Sequence, residues 1–478
     1  MTLLPSAEAL AEVVVTGYST QSTRDITGSV SVIKSEDLLS TSPNTLEQAL
    51  QGQASGVVVN VEGGPGGNAA IRIRGFGTVN ANDPLFIIDG TPTNLGLNAI
   101  NPNDIESIQI LKDASSASIY GNRAANGVVL ITTKGGKKNQ KVTFNGNVHV
   151  SVDYVPSTRF PDLANPTQWA NSVWQAAIND GLTPGTAQLG NGPTPVLPVY
   201  LNPAGASSGV DESQYDFLTN RITRANQAGT NWFDAFFNTQ TSRFYNMSAS
   251  GGSEHANFFM SLSAVEQNGV AKFTDYERYT IRTNSNFDIT DKIKMGENLT
   301  VSYSDRISAV GLQGPEGSIA NLLRINPIIP IYDVGGNFAG SGVGGGVGNA
   351  DNPIAQAFRN KDNHNLNFRA FGNAFVEIEP IKNLKLRTNL GIDLNSSNLS
   401  AFTPFGPEGE TAVVNTLTES NTFERVFTWY NTAIYKYVLN EKHVFEGLFG
   451  TEFNKRNVSF FTATRNGFLF NDPLNTRV

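Results

Sequence analysis

The sequence predicts a small α/β domain followed by an antiparallel β-barrel that crosses a membrane. Up to about residue 137, short apolar runs and stretches of helical periodicity are separated by turn-forming Gly, Pro and Asn. From about residue 141 onward, apolar and polar residues alternate with a period of two, which indicates strands with two different faces. The connections between these strands are long and short in turn, which is typical of outer-membrane barrels.

Composition excludes several classes of protein. The chain has 478 residues, more than one ordinary domain, and no Cys, which excludes disulfide frameworks and thiolate metal sites. Its formal net charge of −8 argues against a nucleic-acid partner, because phosphate binding needs a basic surface. The sequence has no apolar run of about 18 residues, as a membrane helix requires, whereas a barrel strand needs only about 10 residues.

Local signals define the elements of the first domain. Asn, Asp and Gly mark helix ends and turns, and runs of Val, Ile and Leu mark strands. We expect helices at 45–50 and 114–120, and strands at 57–61, 71–74, 85–88, 105–111 and 128–131. The Lys- and Gly-rich residues 134–138 predict a linker to the second domain.

The second domain contains roughly nine predicted strands. They lie at 141–152, 242–250, 256–266, 278–289, 293–306, 365–379, 384–395, 424–438 and 443–456. In the clearest of them, Tyr279, Ile281 and Phe287 share one face. The other face carries polar residues such as Arg282, as expected for a wall between lipid and a polar lumen.

The connections between the strands alternate in length. Long connections are predicted at 154–241, 267–277, 307–364 and 396–423, and short ones at 251–255, 290–292, 380–383 and 439–442. Short periplasmic turns and long extracellular loops explain this order. The alternative is a soluble β-sandwich with one solvated face, which has no reason to keep the order over so many strands.

The first domain also carries seven short motifs in succession. They are QGQASGV (51–57), IRIRG (71–75), DPLFIIDG (83–90), NPNDIESI (101–108), LKDAS (111–115), IYG (119–121) and NGVVLITTK (126–134). Together they resemble the plug of SusC/RagA-like TonB-linked outer-membrane proteins. The plug-motif residues that we single out are Gly75, Asp89, Gly90, Lys112, Asp113, Tyr120, Gly121, Asn126 and Gly127.

This resemblance implies a division into an N-terminal segment (1–22), a plug domain (23–137) and the N-terminal part of an outer-membrane barrel (138–478). The family's barrel has 22 strands, so roughly nine predict a partial barrel, and we expect the chain to be a fragment. The first residues lack a signal peptide, which an exported protein should have. We therefore expect that the signal was removed or that the native N-terminus is missing.

The N-terminal segment contains a stretch that looks like a TonB box. It consists of Glu12, Val13, Val14, Val15, Thr16 and Gly17. An extended Val-rich peptide can add a strand to the sheet edge of a partner. The alternative is an ordinary edge strand of the plug.

Three charged residues of the plug predict a latch to the barrel wall. Arg72 and Arg74 lie two apart on a predicted strand, so both should point to one face, and Glu106 is the expected acidic partner. The resemblance implies that such residues hold the plug against the barrel. The alternative is a pair of solvated Arg side chains.

Aromatic residues in the first long loop include Trp169, Trp174 and Trp232. Contact with a glycan substrate is one interpretation, and packing of the loops on one another or on a lid protein is the alternative that we favour. A G-x-S-x-G string at 205–209 and a G-x-G-x-x-G string at 340–345 lie in loops without the context that catalysis or phosphate binding needs. We therefore expect no enzyme, no metal and no cofactor.

The resemblance implies TonB-dependent import of oligomeric nutrients, glycans or peptides, across the cell outer membrane, with the plug gating the barrel. The implied partners are TonB, a SusD-like lid lipoprotein and outer-membrane lipid. The alternative is a TonB-dependent receptor for siderophores or vitamins. A surface adhesin or an enzyme on a β scaffold is a third hypothesis, against which the plug motifs argue.

Overall fold

The computed structural model shows a small α/β domain and one large antiparallel sheet. It describes residues 13–16, 19–22, 30–40, 45–61, 63–77, 79, 82–93, 95–201, 209–308, 317–343, 346–409, 414–440, 443–469 and 471. Among these residues, every helix is too short or too polar to cross a membrane.

The first domain consists of short elements joined by turns. In chain order they are β1 (Val13–Thr16), β2 (Ser19–Ser22), β3 (Val30–Lys34), α1 (Ser35–Leu39), α2 (Leu46–Leu50), β4 (Val57–Val61), β5 (Ala69–Ile73), β6 (Leu85–Ile88), β7 (Thr91–Thr93), β8 (Ile105–Leu111), α3 (Ala114–Ala117) and β9 (Val128–Thr133). Five of the strands form one sheet in the order β3-β8-β9-β6-β7, in which β6 and β9 are parallel. The β1–β2 and β4–β5 pairs are separate ribbons.

The five-stranded sheet is buried on both faces. In β9, Val129 and Ile131 pack in one apolar cluster with residues of α1 and α2, whereas Val128 and Leu130 pack in another. The second cluster contains Ala117 from α3, together with residues from the 3₁₀ helix that follows it. A strand buried on both sides reads as a continuous apolar run rather than an alternating one, which explains the sequence of 128–131.

The second domain is a single sheet of nine antiparallel strands in sequence order, so the predicted number is confirmed. Its strands are β10 (Gln140–Asp153), β13 (Gln240–Gly252), β14 (Ala256–Asn268), β15 (Asp275–Thr290), β16 (Ile293–Ile307), β17 (His364–Ile381), β18 (Leu384–Thr403), β19 (Thr416–Leu439) and β20 (His443–Asn466). Among the described residues, β10 and β20 do not pair with each other, so this part of a barrel is not closed.

The connections at one end of the sheet fold into a layer of loops. This layer contains α4 (Pro166–Asn179), β11 (Tyr200–Leu201), β12 (Thr223–Arg224), α5 (Trp232–Phe236), α6 (Ser318–Arg324) and α7 (Pro353–Arg359). An apolar cluster that includes Trp232, Phe236, Leu322 and Ile354 joins the two longest connections. The loops therefore have a core of their own.

The large sheet has its polar face inside and its apolar face outside. On β15, Arg278, Thr280 and Arg282 are buried, whereas Tyr279 is half exposed and Ile281 is 52% exposed. A soluble sandwich would bury the apolar face under a second sheet, but here the buried face is the polar one, covered in part by the first domain. This distribution fits a wall with lipid on its outer side and confirms the predicted fold class.

Several strands are longer than their apolar pattern predicts. β19 extends over Thr416–Leu439 rather than 424–438, and β20 ends at Asn466 rather than at 456. β14 likewise ends at Asn268 and β15 begins at Asp275, so the connection predicted at 267–277 is only 269–274. The extensions carry polar residues on both faces, so periodicity cannot detect them, whereas the backbone ladder continues through them.

Candidate functional site

The contacts between the plug and the inner face of the sheet form the candidate functional site. Arg282 on β15 is buried, with 2% of its side chain exposed, and its Nη2 lies 2.7 Å from Asp89 Oδ2. Its Nη2 also donates to Thr133 of the plug, and its Nη1 donates to Thr300 Oγ1 on the neighbouring strand at 2.6 Å. A guanidinium held by this many acceptors has a defined orientation, which makes this contact an anchor for the plug.

Asp89 presents its carboxylate from a tight turn. Asp89 and Gly90 join β6 to β7 with φ angles of 48° and 83°, which are the two positive φ values of a type I′ hairpin. Asp89 Oδ1 accepts from the Thr133 backbone N–H at 3.0 Å, and Asp89 Oδ2 accepts from Thr133 Oγ1 at 2.8 Å. Asn373 of β17 donates to the Asp89 carbonyl oxygen at 3.0 Å. The turn is therefore fixed from both sides, by the plug and by the barrel.

A second anchor uses an ion pair within the barrel. Arg369 on β17 and Asp393 on β18 form a bidentate pair, with Nε–Oδ1 and Nη2–Oδ2 distances of 2.9 Å. Arg369 Nη1 donates to the carbonyl oxygen of Gly96 at 2.6 Å, and Thr93 Oγ1 donates to Asp393 Oδ2 at 2.6 Å. Thr93 and Gly96 of the plug thus dock onto charges that the barrel itself has paired.

A third anchor places a plug carboxyl against the wall. Ser261 Oγ on β14 donates to Asp104 Oδ2 at 2.8 Å. Burial raises the pKa of Asp104 above its ordinary value, and the hydrogen bond from Ser261 and the positive charge of Arg282 oppose this effect. Burial likewise raises the pKa of Glu47, whose Oε1 accepts from the Leu97 N–H at 2.9 Å. Two plug carboxyls therefore have only partly compensated burial costs.

The predicted pairing of Arg72 and Arg74 with Glu106 is wrong. Arg72 pairs with Asp83 and Arg74 pairs with Asp113, both within the plug. Strand β5 ends at Ile73, and Arg74 has a φ of 57°, so the alternation that would align the two Arg side chains stops before Arg74. Glu106 is exposed and has no ion-pair partner among the described residues.

Glycines of the plug motifs occupy turns that other residues tolerate poorly. Gly75, Gly121 and Gly127 have φ angles of 93°, 65° and 87°. At Gly127 an added Cβ would lie 2.8 Å from Ile73 Cδ1, in addition to the unfavourable φ. The Gly127 carbonyl oxygen accepts from Leu85 N at 3.1 Å, at the start of the parallel pair β6–β9.

The other motif residues also have contacts within the plug. Lys112 Nζ donates to the Ser55 carbonyl oxygen at 2.7 Å, and Asn126 Nδ2 donates to the Asp83 carbonyl oxygen at 3.4 Å. Tyr120 is buried in the cluster that covers one face of the five-stranded sheet. The motifs thus define the plug, and Asp89 in addition contacts the barrel wall.

The loop tryptophans are mostly buried. Trp174 packs with Ala170 and Leu189, and Trp232 lies in the core of the loop layer. Trp169 is partly buried and lines a cleft. The TonB-box-like residues Val13–Thr16 form β1, which pairs with Ser19–Ser22, while Glu12, Gly17 and the string at 205–208 lie outside the described residues.

Sequence reasoning missed the barrel residues that hold the plug. Arg282 and Arg369 belong to strands whose alternation is visible in the sequence, and the pattern predicts that Arg282 lies on the inner face. The signal that the sequence offers is an Arg on the lumen face, because an Arg side chain that becomes buried there requires a hydrogen-bond acceptor. The partner could not be found, because Asp89 is 193 positions away in the chain.

Comparisons with known proteins agree with this architecture. The family model described as TonB-dependent Receptor Plug Domain matches residues 22–128. TonB-dependent receptor P26 of Formosa agariphila is 32% identical over 467 residues, which cover 95% of this chain and 42% of that protein. TonB-dependent receptor SusC of Bacteroides thetaiotaomicron is 32% identical over 353 residues, which cover 69% of this chain and 29% of that protein.

A solved structure matches both parts of the fold. The RagAB peptide importer in its open-open state superposes with a TM-score of 0.77 at 26% identity, covering 96% of this chain and 51% of that chain. The chain thus spans about half or less of the length of these relatives. With its plug domain and nine strands of a barrel, it belongs to the SusC/RagA-like TonB-dependent receptors of the outer membrane.

Proposed function

We propose that the chain acts in the TonB-dependent import of oligomeric nutrients, glycans or peptides, across the outer membrane. The observation that carries this proposal is the docking of the plug onto the polar inner face of the sheet through Asp89, Thr93 and Asp104. A domain held in this position obstructs the lumen, so transport requires that it move.

The nature of these contacts supports a plug that can be released. Most of the contacts between plug and wall described above are hydrogen bonds and ion pairs, and Phe371 is the one wall residue, within the part of the chain that the structure describes, in the plug's main apolar cluster. Water can replace such contacts at a limited net cost, about 1.5–3 kcal/mol for a hydrogen bond to a charged group. The plug's own core is apolar, and so a pull on the plug should break the interface before the core.

TonB and a lid protein are the proposed partners. The TonB-box-like segment Glu12–Gly17 is the proposed site of the pull, since an extended strand can pair with the edge of a partner's sheet. A SusD-like lipoprotein is proposed to cover the loop layer. Import of a siderophore or vitamin is the competing function, and the overlap with a peptide importer and with SusC favours oligomers over it.

The proposal is tested in the native bacterium by deleting the gene that encodes this chain. Uptake of fluorescent oligopeptides and oligosaccharides is measured in the parent, the deletion strain, a strain without TonB, and cells treated with a protonophore. We expect one class of oligomer to lose uptake in all three altered conditions. Uptake that is unchanged for both classes, with loss of a ferric chelate or vitamin instead, would contradict the proposal.

A further inference from the structure

The loop layer contains a cleft that the proposed function has not used. Its volume is about 470 Å³, within the range of sites for small ligands. One side is formed by Phe160, Leu163 and Trp169 from the first long connection. The other side is formed by the end of α6 and the residues that follow it, including Leu323. The cleft therefore lies between two loops that a common core holds together.

Packed aromatic rings form one apolar wall of the cleft. The rings of Phe160 and Phe233 lie 5.0 Å apart between centroids, and Phe160 also stacks on Phe237 at 5.8 Å. Leu163 and Leu323 are exposed at the cleft although both are large and apolar. An exposed Leu on each side of a preformed cleft favours an apolar occupant, because contact would remove both side chains from water.

Three side-chain acceptors in the lining of the cleft are already engaged. The side-chain oxygens of Asn165, Asn231 and Asn326 accept from backbone N–H groups of their own loops, at distances of 2.9, 3.3 and 3.1 Å. Trp232, which also lines the cleft, is 1% exposed, and its indole nitrogen has no partner among the described residues. Because that nitrogen is itself buried, it belongs to the wall and is not among the groups that a ligand in the cleft can reach.

This chemistry distinguishes between the two classes of oligomer. A sugar ring carries several hydroxyl groups, each of which needs a hydrogen-bond partner when it leaves water. The apolar side chain of a peptide needs no such partner, and it can lie between the exposed side chains of Leu163 and Leu323. Asp162 and Arg324 provide one negative and one positive charge to the lining, which favours a neutral side chain.

We propose that this cleft binds a neutral apolar side chain of an oligopeptide substrate on the extracellular side. The inference rests on the proposed function and narrows it from glycans or peptides to peptides. Its occupant is a Leu- or Phe-sized side chain of a free peptide, held between Leu163 and Leu323.

The test is calorimetric titration of the purified protein, as its gene encodes it, with three probes. These are a hexapeptide with a central Leu, the same peptide with Asp in that position, and maltohexaose. The variants are Leu323→Asp and, on the opposite side of the cleft, Leu163→Asp, so that two independent changes test one site. Leu218→Asp is the matched control, because Leu218 is 72% exposed in the same loop layer and does not line the cleft.

We expect the Leu peptide to bind more tightly than the Asp peptide, and each cleft variant to weaken its binding about tenfold or more. Leu218→Asp should leave the affinity unchanged. The proposal would be overturned if both cleft variants bind the Leu peptide with unchanged affinity. It would also be overturned if the cleft variants weaken the binding of maltohexaose as much as that of the Leu peptide. Uptake in the native bacterium separates the two claims. If TonB-dependent uptake of oligomers is observed but the cleft variants bind the Leu peptide normally, only the proposed role of the cleft is contradicted. If no such uptake is observed, the proposed function itself is contradicted.

Discussion

The interior of the plug and its interface with the barrel wall are built from opposite chemistry. Inside the plug, residues such as Ile108, Val129 and Ile131 are fully or almost fully buried against one another. At the wall, the contacts that fix the plug are made by Arg282, Arg369 and their acceptors. Apolar burial stabilises the domain strongly without direction, whereas hydrogen-bonded charges give position. This difference indicates that the plug should keep its fold when it leaves the barrel wall.

The largest effect on this contrast is expected from Arg282→Met. The change leaves the Asp89 carboxylate, which is 12% exposed, without its cation, and breaking a largely buried pair in this way costs about 3–5 kcal/mol. Hydrogen exchange should accelerate in the hairpin at 85–93, while amides of β9 in the plug core stay protected. Arg243→Met is the matched control, because Arg243 pairs with Glu266 on the exposed surface of the barrel strands. Equal rates of hydrogen exchange in the two variants would contradict the role of Arg282 as an anchor.

The plug core itself should respond to Gly127→Ala. Gly127 has a φ of 87°, and a Cβ there would lie 2.8 Å from Ile73 Cδ1, so both strain and overpacking oppose the change. We expect a loss of stability of about 1–3 kcal/mol. Hydrogen exchange should then accelerate throughout β6 and β9, unlike the local effect of Arg282→Met. Gly63→Ala is the control, since nothing lies within 4 Å of its Cβ position; a similar loss there would contradict the packing argument.

A smaller effect, dependent on pH, is expected from Asp104. Because burial raises its pKa, the folded state binds more protons than the unfolded state between the ordinary pKa of 3.8 and the raised value. The free energy of unfolding of the plug should therefore fall as the pH rises through that window. Asp104→Asn removes the titrating group while it keeps an oxygen for Ser261, so the fall should become shallower. Unfolding measured against pH checks this, and an unchanged slope would contradict it.

The smallest effect is expected from the residues first predicted to form a latch. Arg74→Gln breaks a pair with Asp113 in which the Arg side chain is 52% exposed, and such pairs contribute about 0–1 kcal/mol. Hydrogen exchange at the wall contacts should not change. A loss of plug docking as large as that of Arg282→Met would restore the original latch hypothesis.

Sequence patterns predicted the architecture better than the contacts of the site. The alternation around Ile281 and Arg282 was enough to predict which face is polar, because a strand places successive side chains on opposite faces. The turn at Asp89 was recognised from its motif, but its role as an acceptor depends on how a distant strand is placed. Arg74 shows the opposite error, since a single backbone angle ended the strand and removed the expected alignment.

Immobilising the plug tests the central claim most directly. The chain has no Cys, so Cys residues at positions 104 and 261 can be joined by a short cleavable thiol cross-linker without competing sites. The account predicts that cross-linked cells lose TonB-dependent uptake and regain it when the linker is cleaved, while the unlinked double variant transports. Uptake that continues through an intact cross-link would show that this part of the plug does not need to leave the wall.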